Sequence, residues 1–214
     1  MKTRLPFAGL LCALAFLAAM PSARAQQAVF NTLGAGSTYD PSGGQFVTGT
    51  TYQGIANAFA PSASGDLLMI ELGISRADDG ANGQFILELR LPDAMNRPGA
   101  IIASGELTTV NTIGFSNTAL TTFNYSGPSV ALVSGQTYWL TLQPQNAATN
   151  VIWNFGAGQT GSITSTNNGT TYGAPFTGTL SAFRVSIVPE PATYAFCLAG
   201  AGLFLGARRL RRPR

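Results

Sequence analysis

Between Gln27 and Val188 apolar residues fall at every second position, and they do so in run after run. Leu68, Ile70, Leu72 and Ile74 share one face of a strand, and Phe85, Leu87, Leu89 and Leu91 share another, with Glu88 and Arg90 opposite. A period of two is the repeat of a β-strand with one buried face, and it cannot line up on a helix of period 3.6. Asp78-Asp79-Gly80-Ala81-Asn82-Gly83 separates these two runs, and such residues favour tight turns. The two segments are therefore expected to form a hairpin. Glu71 and Glu88 would then lie on adjacent strands, both facing outward.

Further strands are expected at Ile101–Glu106, Ala119–Tyr125, Tyr138–Gln143, Val151–Phe155 and Ala182–Val188. Tyr138, Leu140 and Leu142 face one way, and Trp139, Thr141 and Gln143 the other. Phe183, Val185 and Ile187 alternate with Arg184 and Ser186. The stretch 156–178, rich in Gly, Ser, Thr and Asn, reads as a long loop or irregular hairpin. No segment of this region patterns as an amphipathic helix. Short strands at roughly 8 to 12 residue spacing imply an all-β fold, an antiparallel sandwich that is jelly-roll-like.

The two ends have a different composition. Lys2 and Arg4 precede an apolar run from Leu5 to Met20, and Ala23-Arg24-Ala25 has the small-x-small pattern of a signal-peptide cleavage site. Residues 1–25 thus read as a signal peptide that directs the chain to the Sec translocon and is removed by signal peptidase, with Gln26 as the first mature residue. The alternative is an uncleaved N-terminal anchor. At the other end, Pro189-Glu190-Pro191 precedes an uncharged stretch, Ala192–Ala207, and then Arg208, Arg209, Arg211, Arg212 and Arg214. Sixteen helical residues span roughly 24 Å, short of a bilayer core of about 30 Å. Snorkelling arginines can make up the difference, and the positive-inside rule keeps them cytoplasmic. Residues 189–214 therefore read as a motif, a transmembrane helix and a basic stop. An ordinary tail anchor with a Pro-rich junction would show the same physics.

Once the ends are set aside, the bulk properties change. The whole chain has net charge +3, but Gln27–Val188 holds only Arg76, Arg90, Arg97 and Arg184 against eight carboxylates, leaving −4. That gives no electrostatic footprint for nucleic acid. Cys12 and Cys197 both lie in the end segments, so the 27–188 domain has no disulfide. The chain contains no His, which excludes Ser-His-Asp and Cys-His catalysis and His-based zinc. Glu71 and Glu88 survive as a carboxylate pair only on paper, because nothing marks them as buried or shifted. The domain is expected to be non-enzymatic and to need no cofactor.

Two binding sites can be drawn. Asp78, Asp79 and Asn82 offer oxygen ligands for calcium, but their spacing does not fit an EF-hand. Trp139 is a candidate sugar contact, since it points away from Leu140, and Tyr138, Trp153 and Tyr172 add aromatic faces. Tyr138 and Trp153 fit core positions better. The sequons Asn124-Tyr125-Ser126 and Asn168-Gly169-Thr170 matter only in a host that glycosylates exports.

The three-part tail resembles the PEP-CTERM sorting signal of Gram-negative bacteria, matched at Pro189-Glu190-Pro191, the apolar span and the Arg cluster. The resemblance implies a membrane-embedded cysteine protease, exosortase, that recognises the motif and removes the helix. It also implies delivery to the cell surface or the extracellular polysaccharide matrix. Arg97-Pro98-Gly99, Ser134-Gly135-Gln136-Thr137-Tyr138-Trp139-Leu140 and Val151-Ile152-Trp153-Asn154 resemble the exported choice-of-anchor domains. That second resemblance implies a β-sandwich over Phe46–Val188. Carbohydrate binding on the same architecture is the alternative function.

Overall fold

A computed structural model describes residues 26–77, 84–107, 119–165, 167, 169–174 and 176–189. The strands are β1 (Gln27–Asn31), β2 (Asp40–Thr48), β3 (Gly54–Phe59), β4 (Gly65–Leu72), β5 (Ile74–Arg76), β6 (Phe85–Pro92) and β7 (Pro98–Leu107). They continue with β8 (Thr121–Asn124), β9 (Ala131–Leu132), β10 (Tyr138–Pro144), β11 (Asn150–Ser165), β12 (Phe176–Ser181) and β13 (Phe183–Pro189). One sheet has five strands in the order β1-β13-β4-β8, with β9 also on β4. The other has eight, in the order β12-β11-β3-β10-β6-β7, with β2 and β5 also on β11. Their pairings among the described residues are antiparallel.

The sheets share one apolar core, the arrangement of a β-sandwich. Ile70, Leu72, Val185 and Ile187 come from the smaller sheet, and Ile55, Leu87, Leu140 and Trp153 from the larger. Aromatic rings bridge the two layers. The Phe183 ring centroid lies 5.9 Å from that of Phe59 and 5.8 Å from that of Trp153. Such pairs add to what area burial alone contributes.

The expected hairpin between Leu68–Ile74 and Phe85–Leu91 does not form. β4 pairs with β13, β8 and β9, whereas β6 pairs with β10 and β7 in the other sheet. The reason is Gly73. The chain changes sheet there, so Leu72 ends a strand of one sheet and Ile74 begins a strand of the other. A Cβ on Gly73 would sit 2.8 Å from the Ala182 Cβ and from the Tyr39 ring, so only glycine fits the unshifted backbone. The inward phase also breaks once. Met69 pairs with Ser186 but Leu67 with Ile187, which leaves Leu68 as an extra residue. This β-bulge turns Leu67 into the core and leaves Leu68 half-buried, against the simple alternation.

Elsewhere the alternation holds. Tyr138, Leu140 and Leu142 are buried in the core, as are Phe183, Val185 and Ile187. The Gly-rich stretch divides: β11 extends to Ser165, and β12 returns along it through two register shifts. That is an irregular hairpin.

Candidate functional site

The end of β13 is where the fold meets the tail. β13 lies between β1 and β4, and its register on β4 runs to Val188 opposite Asp66 and Pro189 opposite Gly65. Proline lacks an amide proton, so it is tolerated in an inner strand only at a position such as this end. Gly65 permits the close approach: a Cβ there would lie 2.5 Å from the Val188 carbonyl oxygen. β4 is held in turn by β9, with Gly65 opposite Leu132, and by the Leu67 amide donating to the Val130 carbonyl at 2.9 Å.

Gln26 reaches the same place. β1 opens with Gln27 opposite Ile187, antiparallel to β13. The Gln26 amide nitrogen donates to Ser186 Oγ at 3.3 Å. The first residue after the expected signal cleavage and the first proline of the terminal motif thus emerge from neighbouring strands at one end of one sheet. Ala23, Ala25, Glu190, Pro191, Arg208, Arg209, Arg211, Arg212 and Arg214 lie outside the described residues. So does the expected span Ala192–Ala207; among the described residues no helix is long and apolar enough to cross a membrane.

Trp139 requires a correction. It does point away from the core, but it is only 2% exposed. It packs with Ala56 and Tyr172 in a second, smaller apolar cluster on the outer face of the larger sheet. Tyr172 follows β11 and covers that face. Its hydroxyl accepts from Gln143 Nε2 at 2.6 Å, and the Arg90 guanidinium stands 5.7 Å from its ring centre. Burial pushes the Tyr172 phenol up to about 12. Trp139 therefore offers no open platform to a sugar ring. Nothing in the local pattern announced the cover, since Tyr172 is 33 positions away in a Gly/Thr-rich segment. Tyr138 and Trp153 are core residues, as their positions suggested.

The two carboxylates also separate. Glu71 belongs to β4 and Glu88 to β6, in different sheets. Each is outward-facing yet mostly covered, and each has its own arginine. Arg184 donates to Glu71 through Nε and through Nη2, the latter at 2.7 Å. That hydrogen bonding holds the Arg184 guanidinium above its usual range. Arg90 Nε donates to Glu88 at 2.9 Å, and Thr141 Oγ1 donates to the same oxygen at 3.0 Å. Two carboxylates neutralised in separate layers cannot flank one bond. The Asp78, Asp79 and Asn82 loop and Asn168 lie outside the described residues. Among the described residues, no group of three or more His, Cys, Asp and Glu could hold a metal ion. Asn124 of the first sequon is exposed at the end of β8, beside an open groove of about 590 Å³ between β7 and Phe123–Val130.

The fold defines an all-β domain whose last strand runs without a linker into a terminal motif. The family model described as the PEP-CTERM protein-sorting motif matches residues 188–212. The chain carries that motif, which takes in the Pro-Glu-Pro and all of the Arg cluster except Arg214, and it implies export and processing by exosortase. A comparison with curated proteins finds no match.

Proposed function

We propose that this chain is an exported, non-catalytic β-sandwich protein, anchored in the inner membrane by its tail until exosortase releases it to the cell surface or extracellular matrix of a Gram-negative bacterium. The observation that carries the reading is the sorting motif joined directly to β13 at Val188. The sandwich is jelly-roll-like: β1-β13-β4-β8 and β3-β10-β6-β7 follow the order that two Greek keys generate, with β2, β5, β9, β11 and β12 as additions. The absence of His from the chain and the separate pairing of Glu71 and Glu88 support a structural rather than a catalytic role. The burial of Trp139 counts against a carbohydrate-binding reading that uses its ring as a platform. Intact-mass measurement of the exported protein tests the proposal. A mature chain beginning at Gln26 and lacking the Arg cluster supports it. A membrane-bound product that retains Arg214 refutes it.

A further inference from the structure

We infer that the folded sheet withholds Val188 and Pro189 from the processing enzyme, so that the sandwich itself sets the upstream limit of cleavage. The inference rests on the reading that the tail is processed. A protease reads its substrate as extended backbone with free hydrogen-bonding edges. Val188 and Pro189 offer neither a free edge towards β4 nor, at Pro189, an amide proton. They are the last residues of an inner strand, paired with Asp66 and Gly65, and Val188 is only 9% exposed. The strand they pair with is itself backed by β9 on Gly65 and Asp66. Asp66 also accepts from Ser129 Oγ at 2.6 Å, which ties the β8–β9 segment to the same corner. Upstream, β1 covers the opposite edge of β13 as far as Ile187. Drawing Pro189 into an active site would therefore pull the end of β13 off β4.

The bond the enzyme breaks then lies C-terminal to Pro189. In that step a peptide C–N bond is cleaved. Water supplies hydroxyl to the carbonyl carbon, which stays with the sandwich, and a proton to the amine, which leaves with the tail. The released domain keeps all of β13, so processing costs the core nothing. Gly65 and Pro189 act here as positioning residues, through the strand end they hold.

The test uses the full chain in a bacterium that supplies the processing enzyme, followed by pulse-chase and intact mass. The wild-type product is expected to end at or after Pro189. A second chain carries Gly-Ser-Gly-Ser inserted between Val188 and Pro189, which moves an intact Pro-Glu-Pro away from the sheet and leaves the core untouched. It is expected to be processed roughly tenfold faster, the factor that about 1.4 kcal/mol of strand-end pairing corresponds to. A wild-type product ending at Val188 or earlier overturns the inference alone, as does an unchanged rate in the insertion chain. Retention of Arg214 in both chains overturns it together with the sorting reading.

Discussion

The Gly73 amide donates to the Ala182 carbonyl at 2.8 Å, and each of these residues is the point where the chain crosses from one sheet to the other. Gly73 links β4 to β5, and Ala182 links β12 to β13. Asn154 closes the ring: its amide donates to the Gly73 carbonyl at 2.9 Å, and its carbonyl accepts from the Ala182 amide at 2.6 Å. The Trp153 indole adds a donor to the Ala182 carbonyl at 3.0 Å. Chain crossings strand backbone polar groups away from regular ladders, and buried groups of that kind must find partners. Here the two crossings satisfy each other.

Filling this corner should be destabilising. Gly73→Val places a Cβ 2.8 Å from the Ala182 Cβ and from the Tyr39 ring, and Ala182 is fully buried. Overpacking of this kind costs about 1–3 kcal/mol. The melting temperature should fall by about 2–4 °C for each kcal/mol in a chain of this size, readable by circular dichroism.

The Arg184–Glu71 pair should behave as a unit. The residues face each other across β13 and β4, and Arg184 Nη1 also donates to Ser37 Oγ at 2.8 Å. Arg184→Ala leaves a largely buried carboxylate without its partner and should cost about 1.5–3 kcal/mol, towards the low end because Arg184 remains partly in solvent. The double variant with Glu71→Ala should cost less than the two singles added together. Urea titration of the four-member cycle checks this, and strict additivity would show the pair uncoupled.

Removing the cover over Trp139 has an optical readout. Trp139 and Trp153 are the two tryptophans of the chain, and Trp153 is fully buried in the core. In Tyr172→Ala, Trp139 should become accessible to acrylamide and shift its emission to the red. The same shift should persist when Trp153→Phe removes the second fluorophore.

Alkali should weaken the fold in a definite window. Burial raises the Tyr172 and Tyr39 phenols to about 12 from an ordinary value of 10.0. A raised folded value means the folded state keeps the proton that the unfolded chain gives up. The stability from this source is therefore complete below pH 10 and is lost as pH rises from about 10 to 12. For Tyr172, the more buried, this amounts to about 2–3 kcal/mol. Denaturant midpoints measured from pH 8 to 12 should fall across that window, and Tyr172→Phe should flatten the fall.

Much of the architecture is legible in the residues because side-chain alternation is a local property. The strands at Tyr138–Pro144 and Phe183–Pro189 appear where the pattern places them, with the expected residues inward. The hairpin failed for a non-local reason. A turn-rich loop between two alternating runs is compatible with pairing inside one sheet or with crossing between two. The choice depended on what packs at Gly73. The phase of β4 failed at Leu68 because a bulge is decided by the partner strand, β13, more than a hundred residues away. Trp139 failed because facing away from the core is a matter of period, whereas exposure depends on whether another segment arrives to cover it.

By itself the sequence determined the all-β character, the separation of a mildly acidic domain from its basic ends, and the terminal motif, because each depends on composition, period or order along the chain. Only the tertiary structure decided which strands are neighbours, that Glu71 and Glu88 sit in different layers, and that Tyr172 covers Trp139. It also decided that Gln26 and Pro189 leave the sheet side by side. Those relations come from contacts between residues far apart in the chain, and local preference does not specify them.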